Sequence, residues 1–185
     1  MKNKILLGSL LLAWSAASLA TPAAGSPAGH LRGKNRKTSS VNLSTRHRAG
    51  VITYMAQAQF YSDFPGATVL GWRRSGDFQE ADFVQDHTTY TAFYDDRDEL
   101  VGTTTTKTLA DLPQNARRYL AEKYAGYTPS EVIYFADNED NETDMVMYGI
   151  PVADEDNYFV LLRKPGENLV VKVSPTGTVS YFKKI

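Results

Sequence analysis

Tyr90-Thr91-Ala92-Phe93-Tyr94 is followed by Asp95-Asp96-Arg97-Asp98-Glu99 and then by Leu100-Val101-Gly102-Thr103-Thr104-Thr105-Thr106. Two runs rich in β-branched and aromatic residues, the types that suit a pleated surface, flank a short charged interval. An interval that polar and that brief reads as a turn, so the stretch predicts an antiparallel hairpin.

Upstream, Ala81 to Gln85 and Thr68 to Arg73 read as two further strands. Ile52, Ala56, Phe60 and Phe64 recur at four-residue spacing, the stripe of a helix that Pro65-Gly66 ends. Downstream the order returns. Asp111-Leu112-Pro113 has the acid and early proline of a helix start, Ala116, Leu120 and Tyr124 form the stripe, and Gly126 closes it. Val132 to Phe135, Tyr158 to Leu162, Leu169 to Val173 and Val179 to Phe182 then read as strands, with Lys164-Pro165-Gly166-Glu167 as a hairpin turn. Tyr94-Asp95-Asp96-Arg97-Asp98-Glu99-Leu100 aligns turn for turn with Val173-Ser174-Pro175-Thr176-Gly177-Thr178-Val179. Phe60-x-x-x-Phe64 aligns with Leu120-x-x-x-Tyr124. The pattern predicts an α+β fold, a tandem repeat of helix plus four-stranded antiparallel units with halves at about 51–109 and 110–185. A helix with one apolar stripe buries it on a sheet, so both helices are expected on one face of a continuous antiparallel sheet.

The chain ends and the charge set the compartment. Lys2 and Lys4 precede an apolar run from Ile5 to Leu12, and Ala20 closes a small-residue stretch; residues 1–20 read as a cleaved signal peptide. Residues 21–50 hold Arg32, Lys34, Arg36, Lys37, Arg46 and Arg48 without an acid, among Gly, Pro, Ser and Ala. That composition predicts a flexible basic linker. The formal net charge of −1 therefore conceals a segregation, since all 21 acids fall after residue 50. Such a domain argues against nucleic acid as a partner, because phosphate contacts need a basic face. The expected location is the periplasm or outside the cell, with no membrane insertion after signal cleavage. Cysteine is absent, so an exported domain must hold its core without disulfides.

The order Phe64-Pro65-Gly66-Ala67-Thr68-Val69 to Trp72, Thr91-Ala92-Phe93-Tyr94-Asp95 to Glu99-Leu100, and Asp111-Leu112-Pro113 to Tyr119-Leu120 and Tyr124 resembles the PepSY-like, β-lactamase-inhibitor-like proteins. These are exported proteins of the Bacteroidetes group. The resemblance covers about residues 52–185 and implies tandem α/β modules whose concave sheet face binds a protein partner, with no catalytic residue to carry over. This chain departs from the β-lactamase inhibitory protein in having no disulfide and in its acidic insertion before the seventh strand.

Chemistry-bearing groups are few. Asp137-Asn138-Glu139-Asp140-Asn141-Glu142-Thr143-Asp144 reads as a solvated hairpin loop. Asp137, Glu139, Asp140 and Asp144 make a weak Ca²⁺ candidate that lacks EF-hand spacing. His87 is the one histidine after residue 50; a hydrolase would have to centre on it, without a Gly-x-Ser-x-Gly elbow. Strand alternation places Tyr90, Ala92 and Tyr94 toward the helices, and leaves Phe93, Val101, Lys172 and Phe182, with Trp72 nearby, on an open face. Aromatics on a polar open face suit protein contact. The expectation is a non-enzymatic module without cofactor that recognises, inhibits or regulates another envelope protein. Small-ligand or metal sensing, and the His87 hydrolase, are the alternatives.

Overall fold

The protein is seen in a computed structural model that describes residues 51–185. The expected signal peptide and basic linker lie outside the described residues. Helix α1 (Tyr54–Asp63) leads into four strands, β1 (Thr68–Ser75), β2 (Phe78–Gln85), β3 (Thr88–Tyr94) and β4 (Leu100–Lys107). A 3-10 turn (Leu109–Asp111) and helix α2 (Gln114–Lys123) precede β5 (Thr128–Asp137). Two short strands follow, β6 (Met145–Met147) and β7 (Ile150–Val152), then β8 (Asn157–Lys164), β9 (Glu167–Val173) and β10 (Val179–Lys184).

The main sheet runs β1-β2-β3-β4-β5-β8-β9-β10, all antiparallel, and β6 and β7 form a separate two-stranded sheet. The expected tandem of two helix-plus-four-strand units, with two helices packed on one face of a continuous sheet, is corrected by this arrangement. The described residues are mostly antiparallel sheet, and the part after α2 carries six strands, not four. The physical reason lies in residues 138–156. Met145, Met147 and Val152 are each buried, so an apolar hairpin follows the acidic run, whose Glu139, Asp140, Glu142 and Asp144 stay exposed.

Local chemistry explains the element ends. Thr53 is extended, and its hydroxyl accepts the Ala56 N–H at 3.0 Å, capping α1. Asp111 does not start α2 as expected. Its carboxylate accepts from the Thr108 N–H at 2.6 Å and closes the 3-10 turn, while Pro113 occupies the α2 N-cap. Asp86 and His87 both have positive φ, 49° and 63°, which makes the β2–β3 connection a two-residue hairpin turn that follows strand twist.

Three apolar clusters fill the domain. Ala56 and Phe60 of α1 join Ala81, Phe83, Ala92 and Tyr94. Ala116 and Leu120 of α2 join Val132, Val160, Leu169, Val171 and Val173. The third cluster holds Phe93, Val101, Phe135, Phe159 and Val170 under the hairpin residues Met145, Met147 and Val152. Gly102 lets β4 and β5 meet closely there: a Cβ at this position would lie 2.5 Å from the Ala136 carbonyl oxygen. Both outer strands carry a bulge, β1 between Val69 and Gly71 and β10 between Tyr181 and Lys183.

Candidate functional site

The β3–β4 turn, the β1–β2 turn and residues 138–156 all lie at one end of the sheet, by the antiparallel order of the strands. This hairpin end carries more than half of the acids, including Asp77, Asp96, Asp98, Glu99, Glu139, Asp140, Glu142, Asp144, Asp154 and Glu155.

Asp95 organises it. The residue is 3% exposed. Oδ1 accepts the backbone N–H groups of Arg97 at 2.9 Å and Glu99 at 3.0 Å, and Oδ2 accepts the Arg97 guanidinium and the Thr143 hydroxyl, each at 3.1 Å. Burial acts to raise the carboxyl, but the Glu99 and Arg97 backbone donors, with the Arg97 and Thr143 side chains, outweigh it and hold Asp95 below its ordinary value. Asn141, only 5% exposed, donates to the Leu100 carbonyl oxygen at 3.1 Å, and Asn138 donates to the same oxygen at 2.7 Å. These contacts fasten the hairpin insertion to the β3–β4 turn. The amides and the threonine of the acidic run carry this function, which the acids had obscured. A recoverable signal was the alternation Met145-x-Met147 beside Val152, the period of a half-buried strand.

The insertion leaves and re-enters the sheet through carboxylates. Asp137 ends β5; its N–H donates to Asp156 Oδ1 at 2.9 Å, and the Tyr134 hydroxyl donates to Asp156 Oδ2 at 2.7 Å. Asp137 Oδ2 and Asn157 Oδ1 are buried acceptors without a hydrogen-bond partner. Burial, then the charges of Asp154, Asp156 and Glu139, push Asp137 up to about 6. Among the described residues, no three His, Asp or Glu side chains are arranged to hold a metal ion.

Of the five sheet residues expected on one open face, Phe93, Val101 and Phe182 share an apolar cluster that the β6–β7 hairpin covers, and Trp72 belongs to another cluster. Phe93 (8% exposed) and Val101 (0%) lie beneath the hairpin. Phe182 is partly buried and meets the Phe159 ring edge-on at 5.0 Å. Lys172 Nζ donates to Glu155 Oε1 at 2.6 Å. Trp72 faces the other way. The bulge at Leu70 shifts β1 by one residue, so Trp72 pairs with Ala81 and packs on Phe60, ring centroids 5.7 Å apart. His87 lines a cavity of about 360 Å³ with the threonines of β3 and β4 and with Glu131, at the end of the sheet opposite Asp95. It makes no hydrogen bond to an acid, a serine or a threonine among the described residues, and Thr88, Thr89 and Glu131 line the same cavity.

No family model and no curated protein matches the chain. Solved structures do, at the level of fold. A BLIP-like protein from Bacteroides fragilis superposes with a TM-score of 0.57 at 17% identity, covering 73% of this chain and 87% of that one. A DUF2874 family protein from Bacteroides uniformis gives 0.59 at 16% identity, covering 72% and 90%. A Bacteroides eggerthii protein, described provisionally as periplasmic, gives 0.58 at 17% identity, covering 74% and 91%. The chain thus has the fold of the BLIP-like and DUF2874 proteins. The PepSY-like label receives no support beyond that. Among the described residues, no helix is long and apolar enough to cross a membrane.

Proposed function

We propose that the protein is a non-enzymatic binding module of the cell envelope that recognises another protein. The observation that carries this reading is the hairpin end of the sheet. Its carboxylates sit on turns whose backbone groups are satisfied internally around Asp95, so the outer acids are displayed at fixed positions. A preorganised acidic platform steers a basic partner and orients it on arrival. The BLIP-like neighbours support the reading through their fold, and the Bacteroides eggerthii neighbour supports the compartment. Of the five sheet residues, Phe93 is the contact residue in this reading, and Val101, Phe182, Lys172 and Trp72 hold the surrounding sheet in place.

The test places a photo-crosslinking residue at Asp140, on the acidic end, or at His87, on the opposite end, in the producing cell's envelope. A discrete protein adduct from position 140 that is absent from position 87 and is suppressed by salt is the expected result. Equal labelling from both positions overturns the reading, and so does a hydrolase activity that His87→Ala abolishes.

A further inference from the structure

We infer that a crevice between the β6–β7 hairpin and the β1–β2 turn takes an extended peptide segment of the partner, with an apolar side chain seated inside and lysine or arginine beside it. The inference rests on the protein-recognition reading above and gives it a place and a chemistry.

The crevice consists of two adjoining cavities that share Asp77, Phe78 and Val146. The first, about 300 Å³, is floored by Phe78, Phe93 and Met145 and reaches Gly149 in the hairpin turn. Phe78 and Phe93 meet edge to face with centroids 6.2 Å apart and are each 8% exposed, while Val146 at the rim is 44% exposed. One apolar side chain fits against such a floor. The second cavity, about 370 Å³, is rimmed by Asp77, Asp95, Asp96 and Asp144, with Arg74 as its one base. Arg97 is committed to Asp95 and Glu99, and Glu80 to Arg73. Asp77 and Asp144 have no ion-pair partner among the described residues, so an incoming cation finds carboxylates ready to pair.

The hairpin supplies the reason for an extended chain. β6 is paired on one side by β7 and by no strand on the other. Met145 and Val146 of β6 form the crevice wall, whereas no residue of β7 lines either cavity. A peptide laid there meets unpaired backbone groups of β6, the mode of strand addition, and alternates its side chains between the apolar floor and the acidic rim. A free amino acid would use one cavity only; a segment of a few residues spans both.

Two end-blocked peptides test this against the full chain by calorimetry, Lys-Val-Phe-Val-Lys and Glu-Val-Phe-Val-Glu. The lysine peptide is expected to bind and the glutamate peptide not to. Asp77→Asn with Asp144→Asn weakens the lysine peptide by about tenfold, the scale of two lost charge contacts. Val146→Lys, at an exposed position, removes binding while thermal melting is unchanged, and Glu122→Gln on α2 leaves binding as it was. No heat from the lysine peptide at millimolar concentration overturns the crevice, as does binding unchanged in both the double variant and Val146→Lys. A crosslinked partner from position 140 that the lysine peptide fails to displace also overturns it, while leaving the protein-recognition reading intact. Binding of the lysine peptide with the expected losses, but without any crosslinked partner, supports the crevice and overturns the broader reading.

Discussion

Two turns at the same end of the sheet share a backbone and differ in everything attached to it. In the β3–β4 turn the Asp95 N–H donates to the Glu99 carbonyl oxygen at 3.0 Å and the Asp98 N–H to the Asp95 carbonyl oxygen at 3.3 Å. In the β9–β10 turn Ser174 N–H to Thr178 oxygen is 3.0 Å and Gly177 N–H to Ser174 oxygen is 2.8 Å. Each turn also reaches back to a helix start. The Thr53 hydroxyl donates to Asp98 Oδ1 at 2.5 Å, and Asn115 Nδ2 donates to the Thr176 carbonyl oxygen at 3.0 Å. The left-handed position is filled by Asp98 (φ 66°) in one turn and Gly177 (φ 88°) in the other. Asp98 is held there by Thr53 and by the Gln79 side-chain amide at 2.7 Å. Gly177 has no such support, and the Asn115 amide lies where its Cβ would be. The first turn clasps the insertion; the second joins two strands and holds the start of α2. Identical backbone geometry therefore says nothing about which turn carries a further role, and the side chains do.

The sharpest test removes the two anchoring side chains. Asp95→Ala leaves backbone donors, Arg97 and Thr143 without their buried acceptor, and is expected to cost about 3 kcal/mol. Ser174→Ala removes two exposed bonds, one from the Thr178 N–H at 3.1 Å and one with the Thr176 hydroxyl at 2.8 Å, and should cost about 1 kcal/mol or less. Urea denaturation of both variants at neutral pH decides it; equal losses would erase the distinction between the turns.

The left-handed positions come next. Gly177→Ala forces an alanine to positive φ and displaces Asn115, a loss of about 1–2 kcal/mol. Asp98→Gly relaxes the backbone but forfeits the Thr53 and Gln79 bonds, so the opposing effects leave about 1 kcal/mol of destabilisation or less. Thermal melts of the two variants side by side measure the contrast.

Acid separates the clasp from the stem of the insertion. Asp95 is held low, so its contribution is present above the unfolded carboxyl value and disappears as pH falls through its folded value. Asp137, raised from 3.8 to about 6, has the opposite sign: its ionisation opposes folding above that range, and protonation relieves the cost as pH falls from about 6 to 3.8. Asp137→Asn is accordingly expected to stabilise by about 1 kcal/mol near neutrality, discounted for its partial exposure, and to gain nothing near pH 4. Urea midpoints across that range read both effects; a gain that persists at pH 4 would refute the assignment. The smallest change belongs to the exposed Lys172–Glu155 pair, where Lys172→Ala should cost about 0.5 kcal/mol, readable as a melting shift of a degree or two.

Strands that alternate over seven or eight residues, such as β3 and β4, were legible because their pattern and their turn agree. β6 and β7 were not. Three-residue strands barely complete one period of alternation, Pro151 speaks against a strand, and the preceding acids suggest solvent. That one segment turned an expected open sheet face into a covered one and made the part after α2 unlike the part before it. Trp72, expected near that face, lies on the other one because the extra residue at Leu70 shifts the β1 ladder by one. At the candidate site, the charge of the hairpin end could be read directly, but the buried roles of Asn138, Asn141 and Thr143 depend on contacts with residues some 40 positions away. Local periodicity carries no trace of such contacts.

The bulged outer strands have a consequence for how copies of this chain meet one another. An open sheet has two rims where a like molecule could dock in register and start a fibre. Here each rim is kinked, and the kinks sit beside Arg73 and Arg74 on one strand and Lys183 and Lys184 on the other. Two copies approaching rim to rim would have to pair edges that are each out of register at a kink. A chain without cysteine has no covalent ties to hold its long sheet while it is being completed, and kinked rims guard it against its own copies at that stage.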